Sequence, residues 1–136
     1  METKGRHRVH SLVARPAVYV HANDSLRRLA TTLTEEAIGA ALVRGPHGGS
    51  IGLVSERDIV TALSEGADPD RTRVDEVMAE DLVTVAPSDD VLDAVHVMLD
   101  AEVRHLPVVE DGVAFGMVSV RDALKILAND GEAAEA

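Results

Sequence analysis

The chain has 136 residues, a formal net charge of −11, no cysteine, and Tyr19 and Phe115 as its only aromatics. This length fits one domain of about 100–150 residues, or two half-size units sharing a core, and 46% hydrophobic with 27% charged residues is a globular balance. The acidity argues against a nucleic-acid binder, which needs a basic face, and the missing cysteines exclude disulfides, thiolate zinc sites and cysteine nucleophiles.

In chain order, residues 1–8 read as a loose tail whose basic cluster (Lys4, Arg6, His7, Arg8) is a solvated terminus. Val9 to Ala14 form a short lead-in. Ala17 to Val20 is a strand rich in β-formers. Asn23-Asp24-Ser25 offers helix caps, and Leu26, Leu29, Ala30, Leu33 and Ala37 recur at helical spacing until Gly39 ends the helix. Ala40 to Arg44 is a strand, Gly45 to Gly49 a turn, and Ile51 to Val54 the returning strand. Ser55 then opens a helix carrying Ile59, Val60 and Leu63, and residues 66–73 have the composition of a linker.

The second half repeats the order. Val74 to Ala79 leads in, Leu82 to Val85 is a strand, and a helix starts at Pro87-Ser88-Asp89. His105 to Val109 and Val113 to Val118 form a hairpin around Glu110-Asp111-Gly112. Ser119 opens the last helix, and Asn129 to Ala136 form a frayed acidic tail. At an offset of 65, Val18 meets Val83, Val20 meets Val85, Asp24 meets Asp89 and Val43 meets Val108. At an offset of 64, Gly52 meets Gly116, Ser55 meets Ser119, Arg57 meets Arg121 and Asp58 meets Asp122. The offset changes in the 46–49 turn, where an insertion is easiest, so the chain is a duplicated β-α-β-β-α unit.

The most alike stretches are Gly52-Leu53-Val54-Ser55-Glu56-Arg57-Asp58 and Gly116-Met117-Val118-Ser119-Val120-Arg121-Asp122. A serine at a helix start with an acid three residues on is a capping box, which alone accounts for either copy. A helix N-terminus with a hydroxyl is equally a favourable phosphate site, and a carboxylate can accept both hydroxyls of a ribose. Gly52 and Gly116 then read as places where a ligand approaches the backbone. Arg57 and Arg121, on the first helical turns, either approach phosphate or form surface pairs.

With Arg104-His105-Leu106-Pro107-Val108-Val109 and the lead-in Val77-Met78, these motifs resemble the tandem cystathionine-β-synthase-type (CBS) domain pair, or Bateman module. The resemblance covers nearly all of residues 9–128, as repeats 9–65 and 74–128 flanked by tails 1–8 and 129–136. It implies an α+β fold of two β-α-β-β-α units packed sheet to sheet with helices outside. It also implies a regulatory module that binds adenine nucleotides or related adenosyl compounds in clefts between the repeats and performs no catalysis. The implied ligand is AMP, ADP, ATP or S-adenosylmethionine, with no required cofactor or metal. Ser55 and Ser119 would meet phosphate or ribose, and Asp58 and Asp122 the ribose hydroxyls. The base would lie near Val18, Ile38 and Gly39 in one half and Val83 and Val103 in the other, held by shape and backbone hydrogen bonds. Where the second half has Arg104-His105, the first has Gly39-Ala40. Arginine suits bidentate phosphate contact, so whichever cleft Arg104 and His105 reach is expected to hold a phosphorylated ligand more tightly, the division of the two halves between the clefts being open at this point; the alternative is a solvent-exposed strand edge.

No P-loop or nucleophile-elbow pattern occurs, and no histidines are spaced as metal ligands. No apolar run approaches the roughly 20 residues of a membrane span, and the first ten residues lack a signal-peptide core. The expectation is a freestanding cytoplasmic homodimer acting on an unidentified protein partner, binding neither nucleic acid nor membrane. The rival is a ligand-free interaction module whose Ser-x-x-Asp motifs only cap helices.

Overall fold

The structure is a computed structural model that describes residues 7–13 and 16–135, with side chains as far as Asn129. The chain divides into two compact units, one of Ala17–Leu82 and the other of the residues up to Pro16 together with those from Val83 onward.

In the first unit, β1 (Tyr19–His21) pairs in parallel with β2 (Ala40–Arg44), which pairs antiparallel with β3 (Ser50–Ser55). Helix α1 (Leu26–Glu36) places Leu26, Leu29 and Leu33 on one stripe because they recur at three and four residues. That stripe joins Val20, Ala41, Val43 and Val54 in the core, with Ala62 of α2 (Glu56–Ser64) closing it. In the second unit, β4 (His105–Glu110) and β5 (Val113–Ser119) form the antiparallel hairpin, flanked by α3 (Val91–Ala101) and α4 (Val120–Glu135). Its core holds Ala94, Met98, Leu106, Val108 and Val118, the counterparts of Leu29, Leu33, Ala41, Val43 and Val54. Both hairpins carry a register irregularity at equivalent places, Val43/Arg44 and Val108/Val109, which a β-bulge absorbs locally.

Several boundaries differ from the sequence reading. β1 begins at Tyr19 and not at Ala17. Asp90, not Asp89, caps α3 by accepting from the Leu92 N–H at 2.8 Å, while Asp89 accepts from the Ala86 N–H. α4 runs on to Glu135, so described residues of the expected frayed tail are helical. Gly39 does not end α1; Ala37 does, at φ 56°, and Glu102 does the same for α3 at φ 57°. Each makes the paired bonds of a Schellman turn: Ile38 N–H to the Leu33 carbonyl with Ala37 N–H to Thr34, and Val103 N–H to Met98 with Glu102 N–H to Leu99. A side chain in the left-handed region costs about 1–2 kcal/mol. Ala37→Gly is therefore expected to stabilise the protein by about 0.5–1 kcal/mol in urea unfolding, net of glycine's greater unfolded-state entropy.

The expected strand Leu82–Val85 is also absent; it shrinks to one parallel bridge, Val85 to Val108. The cause is one residue. In the first unit the Leu42 N–H donates to the Val18 carbonyl at 3.0 Å. Pro107 stands where Leu42 stands, and proline has no N–H to give. The bonds on either side survive, with Val85 N–H to the Pro107 carbonyl at 3.0 Å and Val109 N–H to the Val85 carbonyl at 2.8 Å.

The lead-in segments pack with the opposite repeat. The 3-10 turn Val74–Glu76 belongs to the first unit, where Val74 is fully buried in the core, and the turn Val9–Leu12 belongs to the second, where Val9 is equally buried. The bonds are equivalent and lie 65 positions apart (72 against 7, 74 against 9). The first helical N–H groups, of Leu26 and Val91, donate to the carbonyls of Thr72 and His7. Val74 and Val9 donate to Asp24 and Asp89, and Asp75 and His10 to Ala22 and Pro87. Residues expected as tail and linker thus satisfy orphan donors at helix starts. Within the linker, the carbonyl of Pro69 accepts from Arg27 N–H, and the Arg27 guanidinium bonds both oxygens of Asp70, holding that carboxyl below its usual range. Both side chains are exposed, so that ion pair adds little stability.

Candidate functional site

Each unit ends its hairpin by turning from strand into helix, and the two turns have the same construction. At the first, Ser55 caps α2: its Oγ accepts from Asp58 N–H at 3.3 Å, and Asp58 Oδ2 accepts from Ser55 N–H at 2.8 Å and Oγ–H at 3.1 Å. At the second, Ser119 Oγ accepts from Asp122 N–H at 3.0 Å and Asp122 Oδ2 from Ser119 N–H at 3.2 Å. These are capping boxes. In both, the first helical N–H is taken by the residue just ahead of the hairpin, Glu56 donating to the Gly39 carbonyl and Val120 to the Arg104 carbonyl, each at 2.9 Å. Sheet register sets Ala40 opposite Ser55 and His105 opposite Ser119. The fold therefore assembles Gly39, Ala40, Ser55 and Asp58 at one turn and Arg104, His105, Ser119 and Asp122 at the other.

The boxes leave chemistry unused. Each engages Oδ2 of its aspartate; among the described residues no donor reaches Oδ1 of Asp58 or Asp122, and no acceptor faces the second helical N–H, that of Arg57 or Arg121. Arg57, Arg104 and Arg121 are exposed and make no ion pair with any described residue. The surface pairs that were one reading of Arg57 and Arg121 do not form here. A half-buried carboxylate oxygen, a free amide at a helix start and uncommitted guanidinium groups together suit a ligand bearing both hydroxyls and phosphate.

The residues expected near a base fall into two kinds. Ile38 and Val103 are half-buried and pack against their units' cores. Val18, just ahead of β1, has its carbonyl tied to Leu42, whereas the Val83 carbonyl accepts from none of the described residues and Val83 is 42% exposed. Gly52 and Gly116 serve another purpose than ligand approach. A Cβ on Gly52 would stand 2.6 Å from Met78 Sδ and 2.9 Å from the Ala79 carbonyl, and one on Gly116 would collide with Val13 Cγ1. The lead-ins fill the space above both glycines. Sequence reasoning missed this because Met78 and Val13 reach the glycines only through the exchanged packing. Among the described residues, no three His, Asp or Glu side chains converge on a metal site, and no helix is long and apolar enough to cross a membrane.

Comparison with known proteins places this geometry. The CBS-domain profile matches residues 9–65 and 74–129. A 17.7 kDa protein of Acidianus ambivalens is 34% identical over 119 residues, covering 86% of this chain and 71% of its own. A Methanopyrus kandleri relative is 28% identical over 120 residues, and this chain spans 61% of that protein's length. Among solved structures, a CBS-domain protein of Pyrobaculum aerophilum complexed with AMP superposes with a TM-score of 0.82 at 28% identity, covering 93% of this chain and 99% of that one. Duplicated strand-to-helix turns on a duplicated α+β unit, matched by profile in both halves, show that the chain belongs to the CBS-domain family as a tandem pair.

Proposed function

We propose that this CBS-domain pair is a regulatory module that senses an adenine nucleotide, AMP being the best-supported form, at its two strand-to-helix turns. The observation that carries this is the unused polar set at each turn, Asp Oδ1, a free helix N–H and an unpaired arginine, in a fold whose Pyrobaculum aerophilum relative holds AMP. In this reading Asp58 and Asp122 accept the ribose hydroxyls through Oδ1 while Oδ2 keeps capping. Ser55 and Ser119 face the sugar or phosphate, with Arg57 and Arg121 beside them. The base lies over Val18, Ile38, Gly39 and Ala40 in one half and over Val83 and Val103 in the other, and Arg104 and His105 strengthen phosphate binding in the second. The module performs no catalysis: ligand stabilises one arrangement of the pair and thereby biases a partner protein. It acts in the cytoplasm as a homodimer, for which the exposed Val60 and Leu63 of α2 and Leu124 of α4 supply apolar surface.

Thermal unfolding tests this. AMP at about a hundred times its dissociation constant is expected to add about 2.7 kcal/mol of stability. Arg104→Ala is expected to weaken AMP about tenfold, as loss of one charge-assisted contact does, while adenosine affinity stays within about twofold. A second reading has specific support, because each Ser–Asp pair is already complete as a cap. On that reading the module docks to a partner without ligand, and no nucleotide moves the unfolding temperature.

A further inference from the structure

Along β1 and β2, Val20 and Val43 turn into the core beneath the helices, so Tyr19, His21 and Arg44 lie on the opposite face of the sheet. There Arg44 is half-buried, its guanidinium carbon 3.9 Å from the centroid of the Tyr19 ring. The ring fixes the group in place but satisfies none of its N–H donors. Nε is sealed from solvent without an acceptor, and among the described residues nothing bonds the Nη groups or pairs with the charge. A guanidinium carries five donors and a permanent charge, and withdrawing it from water without a counter-ion opposes folding.

The sheet sets that charge at the centre of a row. Parallel register places His21 beside Arg44, and antiparallel register places Ser50 on its other side; residues directly opposite share a face. The irregularity at Val43/Arg44 brings Ser50 there, since an unbroken register would put Ile51 opposite Arg44. His21 and Ser50 are exposed, and neither side chain bonds a described residue. Asp24, the carboxylate beside His21, is already engaged: Oδ2 accepts from the His21 backbone N–H at 3.0 Å and Oδ1 faces Arg28. Neighbouring strands lie about 4.8 Å apart, so one tetrahedral oxyanion is within reach of all three side chains, each able to donate. The second unit keeps the bulge without the chemistry, having Ala86, Val109 and Ala114 at the equivalent positions.

We propose that His21, Arg44 and Ser50 form an oxyanion site for a phosphate group, carried by the first unit alone. It is separate from the Ser55–Asp58 turn, because Ala40, opposite Ser55, lies four residues from Arg44 along β2, about 13 Å at 3.3 Å per residue. The inference does not depend on the nucleotide reading: the phosphate is either free or borne by a nucleotide, and the same row recognises both.

The test titrates inorganic phosphate into the intact protein by NMR, with chloride holding the ionic strength constant. Saturable shifts are expected at the amides of His21, Arg44 and Ser50 and at the Arg44 Nε–H, and none with chloride alone. Arg44→Gln removes the charge at a position where Val109 shows that the fold accepts a neutral side chain. It is expected to weaken phosphate at least about tenfold. His21→Ala with Ser50→Ala, both on exposed side chains, is the second variant should the first fold poorly, and is expected to weaken phosphate about fivefold. AMP displacing phosphate from the row would assign the site to a nucleotide's phosphate; AMP shifting the strand-to-helix turns alone would assign it to free phosphate. No saturable shift in the row, an equal shift with chloride, or unchanged phosphate affinity in the variants would overturn the proposal. None of those three results bears on the nucleotide reading, which the AMP shifts at the turns decide.

Discussion

Gly116→Ala is expected to cost about 2 kcal/mol of stability, a large effect for the addition of one methyl group. The new Cβ would meet Val13 Cγ1 at a separation no packed pair tolerates, and Val13 is held by the lead-in whose Val9 and His10 are bonded to Asp89 and Pro87. Overpacking a fixed contact of this kind costs typically about 1–3 kcal/mol. Val13→Ala on its own leaves a small void; combined with Gly116→Ala it is expected to recover most of the loss, giving a coupling of at least about 1 kcal/mol in a double-mutant cycle. Gly52→Ala is expected to be costly as well, because beside the pliable Met78 thioether stands the Ala79 carbonyl, bound to Leu53 N–H at 2.9 Å. Gly49, with nothing within 4 Å of an added Cβ, is the control, and Gly49→Ala is expected to be neutral. Additive effects for Val13→Ala and Gly116→Ala in urea unfolding would show that the lead-in does not lie against β5 in solution.

The second large effect concerns ligand. Asp58→Asn with Asp122→Asn is expected to weaken AMP by about ten- to a hundredfold, since a hydrogen bond to a charged group contributes about 1.5–3 kcal/mol. Asparagine keeps an oxygen able to accept the serine N–H, so the caps survive and unliganded stability is expected to change by less than about 1 kcal/mol. That separation of affinity from stability distinguishes a binding carboxylate from one that only caps. Isothermal titration of both proteins, beside their unfolding curves, measures it. Equal AMP affinity in the two would remove the aspartates from the site.

The duplication, the element order apart from the strand expected at 82–85, and both capping boxes were legible in the sequence because they are local: a serine and an acid three apart declare a helix start wherever they occur. Leu26, Leu29 and Leu33 likewise announced their buried stripe by spacing alone. What was not legible is non-local. Alignment assigns Val9–Leu12 to the first repeat and Val74–Glu76 to the second, and nothing in either segment tells it to pack with the other half, because the equivalent partner offers the same carbonyls and the same hydrophobic socket. The glycines misled for the same reason, their crowding neighbours being 26 residues away in sequence for Gly52 (78 less 52) and 103 for Gly116 (116 less 13). The lost strand at 82–85 was in principle visible, since Pro107 within β4 forbids one ladder bond; the correspondence with the strand of the first half outweighed it. The turns at Ala37 and Glu102 carried no glycine to mark them, and their Schellman bonds are supported by the apolar residues that follow, Ile38 and Val103, each packed on its core.

If the two strand-to-helix turns hold a nucleotide, an amide-resolved NMR titration with AMP shows it at those turns. Saturable shifts are expected at the amides of Ser55 to Asp58 and Ser119 to Asp122, and at those of Val83 and Val103 to His105. AMP at millimolar concentration leaving those amides unmoved, or shifting only residues elsewhere, would contradict the account and leave the Ser–Asp pairs as helix caps.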